Sequence, residues 1–91
     1  MNMHEHDEQI PPMMLADGFN AALIGVSDEW SGHPRAVYDY AKCVRILMVH
    51  QHMSEDEATE YMDFNVIGAY VGAATPIFMH RMSYRQLNAD R

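Results

Sequence analysis

Apolar residues recur at helical spacing through the middle of the chain. Intervals of three and four place residues on one face of a helix, and the first such series is Tyr40, Cys43, Val44, Leu47 and Met48. Asp39 comes just before it and suits an N-cap, because its carboxylate can accept a hydrogen bond from a first-turn amide. The pattern fades at residues 50–52. We predict a first helix that begins after Asp39 and buries these residues.

A second helix is predicted from Ser54 onward. Ser54 and Glu57 match the capping box, in which each side chain accepts from the other residue's backbone amide. Glu55, Asp56 and Glu60 add negative charge near the positive end of the helix dipole. The apolar series of this helix is Ala58, Tyr61, Met62, Val66 and Ala69, and its end is marked by Gly72 and Pro76. The short turn between the two helices predicts an antiparallel hairpin.

Short apolar runs on either side of the hairpin predict three strands, at Ala21 to Val26, Ala36 to Tyr38 and Pro76 to His80. The resulting order is β-β-α-α-β. If the second helix returns to the end of the sheet that the first one left, strand three runs antiparallel to strand two. The predicted fold is therefore α+β, a three-stranded antiparallel sheet with a helical hairpin on one face.

The sequence suggests a single domain at residues 17–81, preceded by a flexible acidic arm at 1–16 and followed by a polar tail or short terminal turn at 82–91. Strands one and three carry apolar residues on both faces, and the hairpin covers only one. Four candidates remain open for the other face: the segment Met13 to Leu15, Trp30 from the loop, a second copy of the chain, or a foreign partner.

Composition and charge narrow the class of function. The chain has 91 residues, of which 48% are hydrophobic, so it suits one small globular domain. Its net charge is −7, and an acidic surface disfavours direct binding to nucleic acid or anionic membranes. No apolar run is long enough to cross a bilayer, and no secretory leader is recognised. Cys43, the single cysteine, is expected to be an inert core thiol.

Catalytic and cofactor motifs are missing from the sequence, so we expect no enzyme activity and no cofactor. His4 and His6, with Asp7 and Glu8 beside them, most resemble metal ligands, but a flexible acidic tail with adventitious affinity explains them more simply, and no metal site is predicted. Asn65 is expected to face inward, either bonded to a strand or to Tyr38, or in contact with a small ligand. Gly68 and Gly72 suggest close packing of the helix on the sheet, or a dimer seam.

The region from about residue 17 to 79 resembles a family of small proteins of unknown function, found largely in tailed bacteriophages and bacterial genomes. The resemblance rests on these stretches: Asp17-Gly18-Phe19, Ala22 to Val26, Val37 to Tyr40 with Lys42-Cys43, Glu57-Ala58 with Glu60-Tyr61, Phe64 to Gly72, and Thr75 to Phe78. It brings no known activity or cofactor. It implies a phage-type accessory protein that works in the bacterial cytoplasm.

These observations favour a small acidic protein that binds and modulates a host or phage protein through a basic surface of that partner. The candidate contact residues are Glu55, Asp56, Glu57, Glu60, Asp63, Met13, Met14 and Trp30. A nucleic-acid mimic that inhibits a defence protein, and a small-ligand or metal-binding module, are the alternatives. Homodimerisation stays open.

Overall fold

In a computed structural model of the chain, residues 13–27, 33–69 and 72–89 are described, and one hydrophobic core includes residues from Met13 to Phe78. The strands are β1 (Leu23–Val26), β2 (Ala36–Asp39) and β3 (Ile77–Met79). The helices are α1 (Tyr40–His50), α2 (Glu55–Tyr61) and α3 (Tyr84–Ala89). A 3-10 turn at Asn20–Ala22 precedes β1, and α2 continues into a π-helical turn at Met62–Val66 and a 3-10 turn at Ile67–Ala69.

The three strands form one mixed sheet in the order β1-β2-β3. β1 pairs antiparallel with β2, with Leu23 opposite Tyr38 and Val26 opposite Ala36, and the register shifts between Leu23 and Gly25. β2 and β3 are parallel, with Tyr38 opposite Phe78. The α+β class is confirmed, but the prediction of an all-antiparallel sheet is wrong.

The hairpin has two helical arms of unequal length: the first arm is α1, and the second arm is α2 with the helical turns that follow it, from Glu55 to Ala69. This difference in length explains why β3 runs parallel to β2. The hydroxyl of Tyr40, at the first residue of α1, donates to Asp63 Oδ1 at 2.9 Å, so the two helices run antiparallel as predicted. The second arm does not end there, because helical turns continue to Ala69, past the beginning of α1. β3 then begins at Ile77, opposite Val37, at the end of the sheet where β2 begins. The helical hairpin is thus part of the crossover connection that the parallel strands β2 and β3 require.

Helix ends follow the predicted caps. The Asp39 carboxylate accepts from the Lys42 amide at 3.2 Å, and both hydrogen bonds of the Ser54–Glu57 capping box are formed. Gly72 has φ +101°, a left-handed conformation that favours glycine, and its carbonyl accepts from the Thr75 hydroxyl at 2.7 Å. Gly68 and Gly72 are both exposed, so the expected close packing on the sheet is not observed.

The core lies between the sheet and the hairpin, with Tyr38 at its centre. Tyr38 is fully buried, its ring stacks on Phe78 at 5.5 Å between centroids, and its hydroxyl accepts from the Ala16 amide at 2.8 Å. Cys43, Val44 and Leu47 of α1 and Ala58, Met62 and Val66 of the second arm are buried as predicted. Four predicted core residues are less buried: Tyr40 is half-buried, while Met48, Tyr61 and Ala69 are exposed.

The sheet keeps an exposed apolar edge. Leu23, Ile24 and Val26 of β1 are each about half exposed. Of the segments considered as covers, Met13 packs against the core and the Met14 amide donates to the Ala74 carbonyl, while Leu15 is exposed. Trp30 lies outside the described residues.

The C-terminal segment is more ordered than a tail. Ser83 and Gln86 form reciprocal side-chain-to-amide hydrogen bonds at the beginning of α3, but every described side chain of that helix is exposed. Among the described residues, no helix has the length and apolar character needed to cross a membrane.

Candidate functional site

The hairpin turn between α1 and α2 is held in a strained conformation. The Gln51 amide donates to the Leu47 carbonyl at 2.9 Å, which ends α1. His52 then adopts φ +58°, a left-handed conformation in which a side chain costs about 1 kcal/mol and which glycine usually occupies at this place. Ser54 caps α2 immediately afterwards. Gln51, His52 and Met53 of this turn line clefts together with residues of the second arm.

The π-helical turn at Met62–Val66 decides which side chains of the second arm reach the surface. A π-helical turn is wider than an α-helical one, and such turns are frequent at functional sites. It keeps Met62 and Val66 buried, four residues apart, and places Phe64 and Asn65 outside. The prediction that Asn65 faces inward is therefore wrong: its side chain is exposed.

Two clefts meet where the hairpin turn faces the π-helical turn. The larger, of about 620 Å³, is called here the hairpin cleft. Its polar lining is Asp17, His50, Gln51, Tyr61 and Asn65, and its apolar lining includes Phe19, Leu47 and Val66. The smaller cleft measures about 550 Å³ and shares Gln51, Met53, Tyr61 and Asn65 with the first. Glu57, Glu60 and Phe64 also line the smaller cleft.

Glu57, Glu60, Tyr61 and Phe64 form a surface that we call the acidic–aromatic face. All four are exposed, and Phe64 is 74% accessible to solvent although it is an aromatic residue on a helical segment. Two carboxylates beside two aromatic rings suit a cationic side chain, because a cation is attracted both by the carboxylates and by the face of a ring.

The five carboxylates predicted as a contact surface are all exposed, but they lie in different surroundings. Glu57 and Glu60 line the smaller cleft, whereas Glu55 lines a groove of about 410 Å³ on another side of α2, together with Arg45 of α1. Asp63 accepts the hydrogen bond from Tyr40 and so holds the hairpin together. Asp56 is exposed in the first turn of α2.

Two of the apolar contact candidates, Met13 and Met14, lie away from the clefts at the hairpin turn. Met13 is partly buried against the core and Met14 is 39% exposed, so the structure places only Met14 largely at the surface. Neither residue lines the clefts at the hairpin turn. The third candidate, Trp30, is outside the described residues.

The groups whose pKa values depart from the usual ones are Asp39, Tyr40 and Cys43, and none of them lines the two clefts at the hairpin turn. Hydrogen bonding from the Lys42 amide and contact with the Arg81 guanidinium hold the pKa of Asp39 below its usual value, against the effect of burial. Burial, with Asp63 beside it, raises the pKa of Tyr40 to about 12. Burial also raises the pKa of the Cys43 thiol to about 12, so this thiol is protonated and a poor nucleophile at neutral pH.

Metal ligands do not cluster in residues 13–27, 33–69 and 72–89, where no group of three His, Cys, Asp or Glu side chains is arranged to hold an ion. His4 and His6 lie outside these ranges. His50 and His52 line different clefts.

The sequence did not single out Phe64 or Arg45, which line a cleft and a groove on the surface. Phe64 lies between Asp63 and Asn65, off the buried series at 58, 62 and 66, and an aromatic residue off the apolar series was the available signal. Arg45 lies off the apolar series of α1, but its position in a groove with Glu55 depends on how the two helices pack.

No protein family, curated protein or solved structure matches this chain. The resemblance to small phage and bacterial proteins therefore stays a prediction.

Proposed function

We propose that this protein is a binding module that docks on a basic surface of another protein through the acidic–aromatic face. The observation that carries the proposal is the exposure of Phe64 beside Glu60. Exposed aromatic residues are enriched where protein interfaces form, and they often contribute most of the binding free energy. On the partner, an arginine is the best match, since its guanidinium can stack on a ring and pair with a carboxylate.

The charge of the chain supports the same partner. A net charge of −7 accelerates encounter with a basic protein and slows encounter with an acidic one. A nucleic-acid mimic is less well supported, because it needs a continuous array of carboxylates, whereas the carboxylates of the second arm lie in different surroundings. The biological setting we propose is that of the resemblance, a phage-type accessory protein that modulates a host or phage protein in the bacterial cytoplasm.

Affinity capture from a bacterial lysate tests this proposal with two matched variants. Phe64→Ala removes the aromatic ring from the acidic–aromatic face, while Tyr84→Ala removes a similarly exposed ring from α3. We expect wild type and Tyr84→Ala to retain the same protein in stoichiometric amount and Phe64→Ala to lose it. Identical capture by all three chains, or no capture by any, would contradict the proposal.

Charge provides a second readout of the same surface. Glu60→Lys should lower the association rate constant for the captured protein about tenfold at low salt, since rim charges act mainly on association. Added salt should reduce the difference between Glu60→Lys and wild type, because exposed charges are screened. Surface plasmon resonance over a salt series would measure both effects.

The hairpin cleft favours a second candidate function, the binding of a small polar molecule. Its volume lies in the range of ligand sites, and the amides of Gln51 and Asn65 offer both donors and acceptors. A screen of nucleosides and other small planar compounds by heteronuclear NMR should then shift the side-chain amide signals of Gln51 and Asn65 first. Unchanged signals for every compound would leave this candidate without support.

A further inference from the structure

A groove between α1 and α2 has balanced charge in an otherwise acidic molecule. Its volume is about 410 Å³, and its charged lining consists of Arg45 from α1 and Glu55 from α2. Arg45 is one of only six lysine and arginine residues in the chain. The residues of α2 that line this groove are Glu55 and Thr59, and neither belongs to the acidic–aromatic face. The groove is therefore separate from the docking surface proposed above.

The groove also exposes apolar side chains. Val49 is 61% exposed and Met48 is 36% exposed, and both line it together with Ala41. Met48 belongs to the apolar series of α1 that the sequence predicts to be buried, yet no described element covers it. Unbranched methionine side chains adapt well to a contact surface.

Within the described part of the chain, Arg45 and Glu55 form no ion pair. There, the ion pair that forms is Arg81 with Asp39, and it involves neither Arg45 nor Glu55. One base and one acid on the same surface are self-complementary in a two-fold interface, because residue i of each copy meets residue j of the other.

We infer that the α1–α2 groove is the interface of a two-fold homodimer in which Arg45 of each copy pairs with Glu55 of the other. The occupant is a second copy rather than a basic partner, because the charges of the groove cancel and so do not select one. Two copies of a chain with net charge −7 repel each other on average, which favours contact where the local charges balance. Met48 and Val49 supply the apolar contact.

Charge exchange at the two positions tests the dimer. Arg45→Glu places two acids in the groove, and Glu55→Arg places two bases there. Each variant alone should dissociate, with a dissociation constant at least about tenfold higher than that of the wild type, because like charges then face each other. Sedimentation equilibrium from low micromolar to millimolar protein would measure it.

Mixing the two single variants gives the decisive readout. In a mixed dimer the two acids of the Arg45→Glu chain face the two bases of the Glu55→Arg chain, so it should form although neither variant pairs with itself. The chain that carries both substitutions should dimerise as the wild type does. Both residues are exposed, so the variants should fold, and circular dichroism melts would verify this.

Arg85→Glu on α3 is the control, since it changes the same charge outside the groove, and it should leave the dimer intact. A wild type that is monomeric up to millimolar concentration would overturn the inference. So would single variants that remain dimeric, or a mixture that stays monomeric. The dimer and the proposed docking surface fail independently, because Phe64→Ala changes only the latter.

Discussion

At the residue scale, Asp39 connects three parts of the fold. It ends β2, caps α1 through the Lys42 amide, and forms an ion pair with Arg81 just beyond β3, with Nε and Oδ2 3.3 Å apart. Asp39 is only 4% exposed, so one buried anion connects the two parallel strands and the hairpin. Tyr40 and His80 pack against each other beside it, with 4.3 Å between ring centroids.

The lowered pKa of Asp39 predicts a dependence of stability on pH. A carboxylate whose pKa is lower in the folded than in the unfolded state stabilises the fold above the unfolded value, here 3.8, and this contribution is lost as the pH falls through the folded value. Asp39→Asn removes the contribution. We expect the variant to be less stable than wild type in urea unfolding at neutral pH, with the difference shrinking below about pH 4.

Asp17→Asn is the control for this measurement, since Asp17 is an exposed carboxylate at a turn. It should show no comparable loss at neutral pH. A difference between Asp39→Asn and wild type that stays constant from neutral to acidic pH would contradict the role given to this carboxylate.

At the element scale, the sequence predicts where the helices begin, but it does not predict the π-helical turn at Met62–Val66. Asp39, Ser54 and Glu57 act through hydrogen bonds to residues three positions away, so their effect can be derived from local sequence. The π-helical turn is different, because one inserted residue changes which side chains face the core. The sequence therefore placed Asn65 inside, and did not distinguish Phe64 as a surface residue.

The strained turn at His52 leads to a pair of opposite predictions for two neighbouring histidines. His52→Gly removes a side chain from a left-handed conformation and should raise the free energy of unfolding by about 0.5–1 kcal/mol. His50→Gly introduces glycine into the last turn of α1 and should lower it by up to about 1 kcal/mol. Urea unfolding of both variants would measure these changes. Equal effects of the same sign would show that His52 is not strained.

At the scale of the whole molecule, the sequence predicts the α+β class and the hairpin but not the direction of β3. The direction depends on how far the second arm runs past Tyr40, and this follows from the contact between Tyr40 and Asp63, which are 23 positions apart. Which surface residues lie close together also depends on contacts between residues that are far apart in the sequence. Glu57, Glu60 and Phe64 line one cleft, while Glu55 and Arg45 line another groove, and the pairing of Glu55 with α1 residues depends on how the two helices pack.

The molecule thus has two distinct candidate contact surfaces on one hairpin. The acidic–aromatic face matches a basic partner in charge, and the α1–α2 groove matches a second copy. A dimer joined through the groove would leave both acidic–aromatic faces free. It would therefore bind a partner that carries two copies of the docking site through two contacts rather than one.

Site-specific photo-crosslinking tests the central claim, that the acidic–aromatic face is the docking surface, most directly. Phe64 is replaced by p-benzoylphenylalanine in one chain and Tyr84 in another; both positions are exposed aromatic residues, so the probe disturbs the core in neither chain. After irradiation in bacterial cells, we expect position 64, and not position 84, to give an adduct with a single foreign protein. Adducts that are the same at both positions, or none at position 64, would contradict the claim.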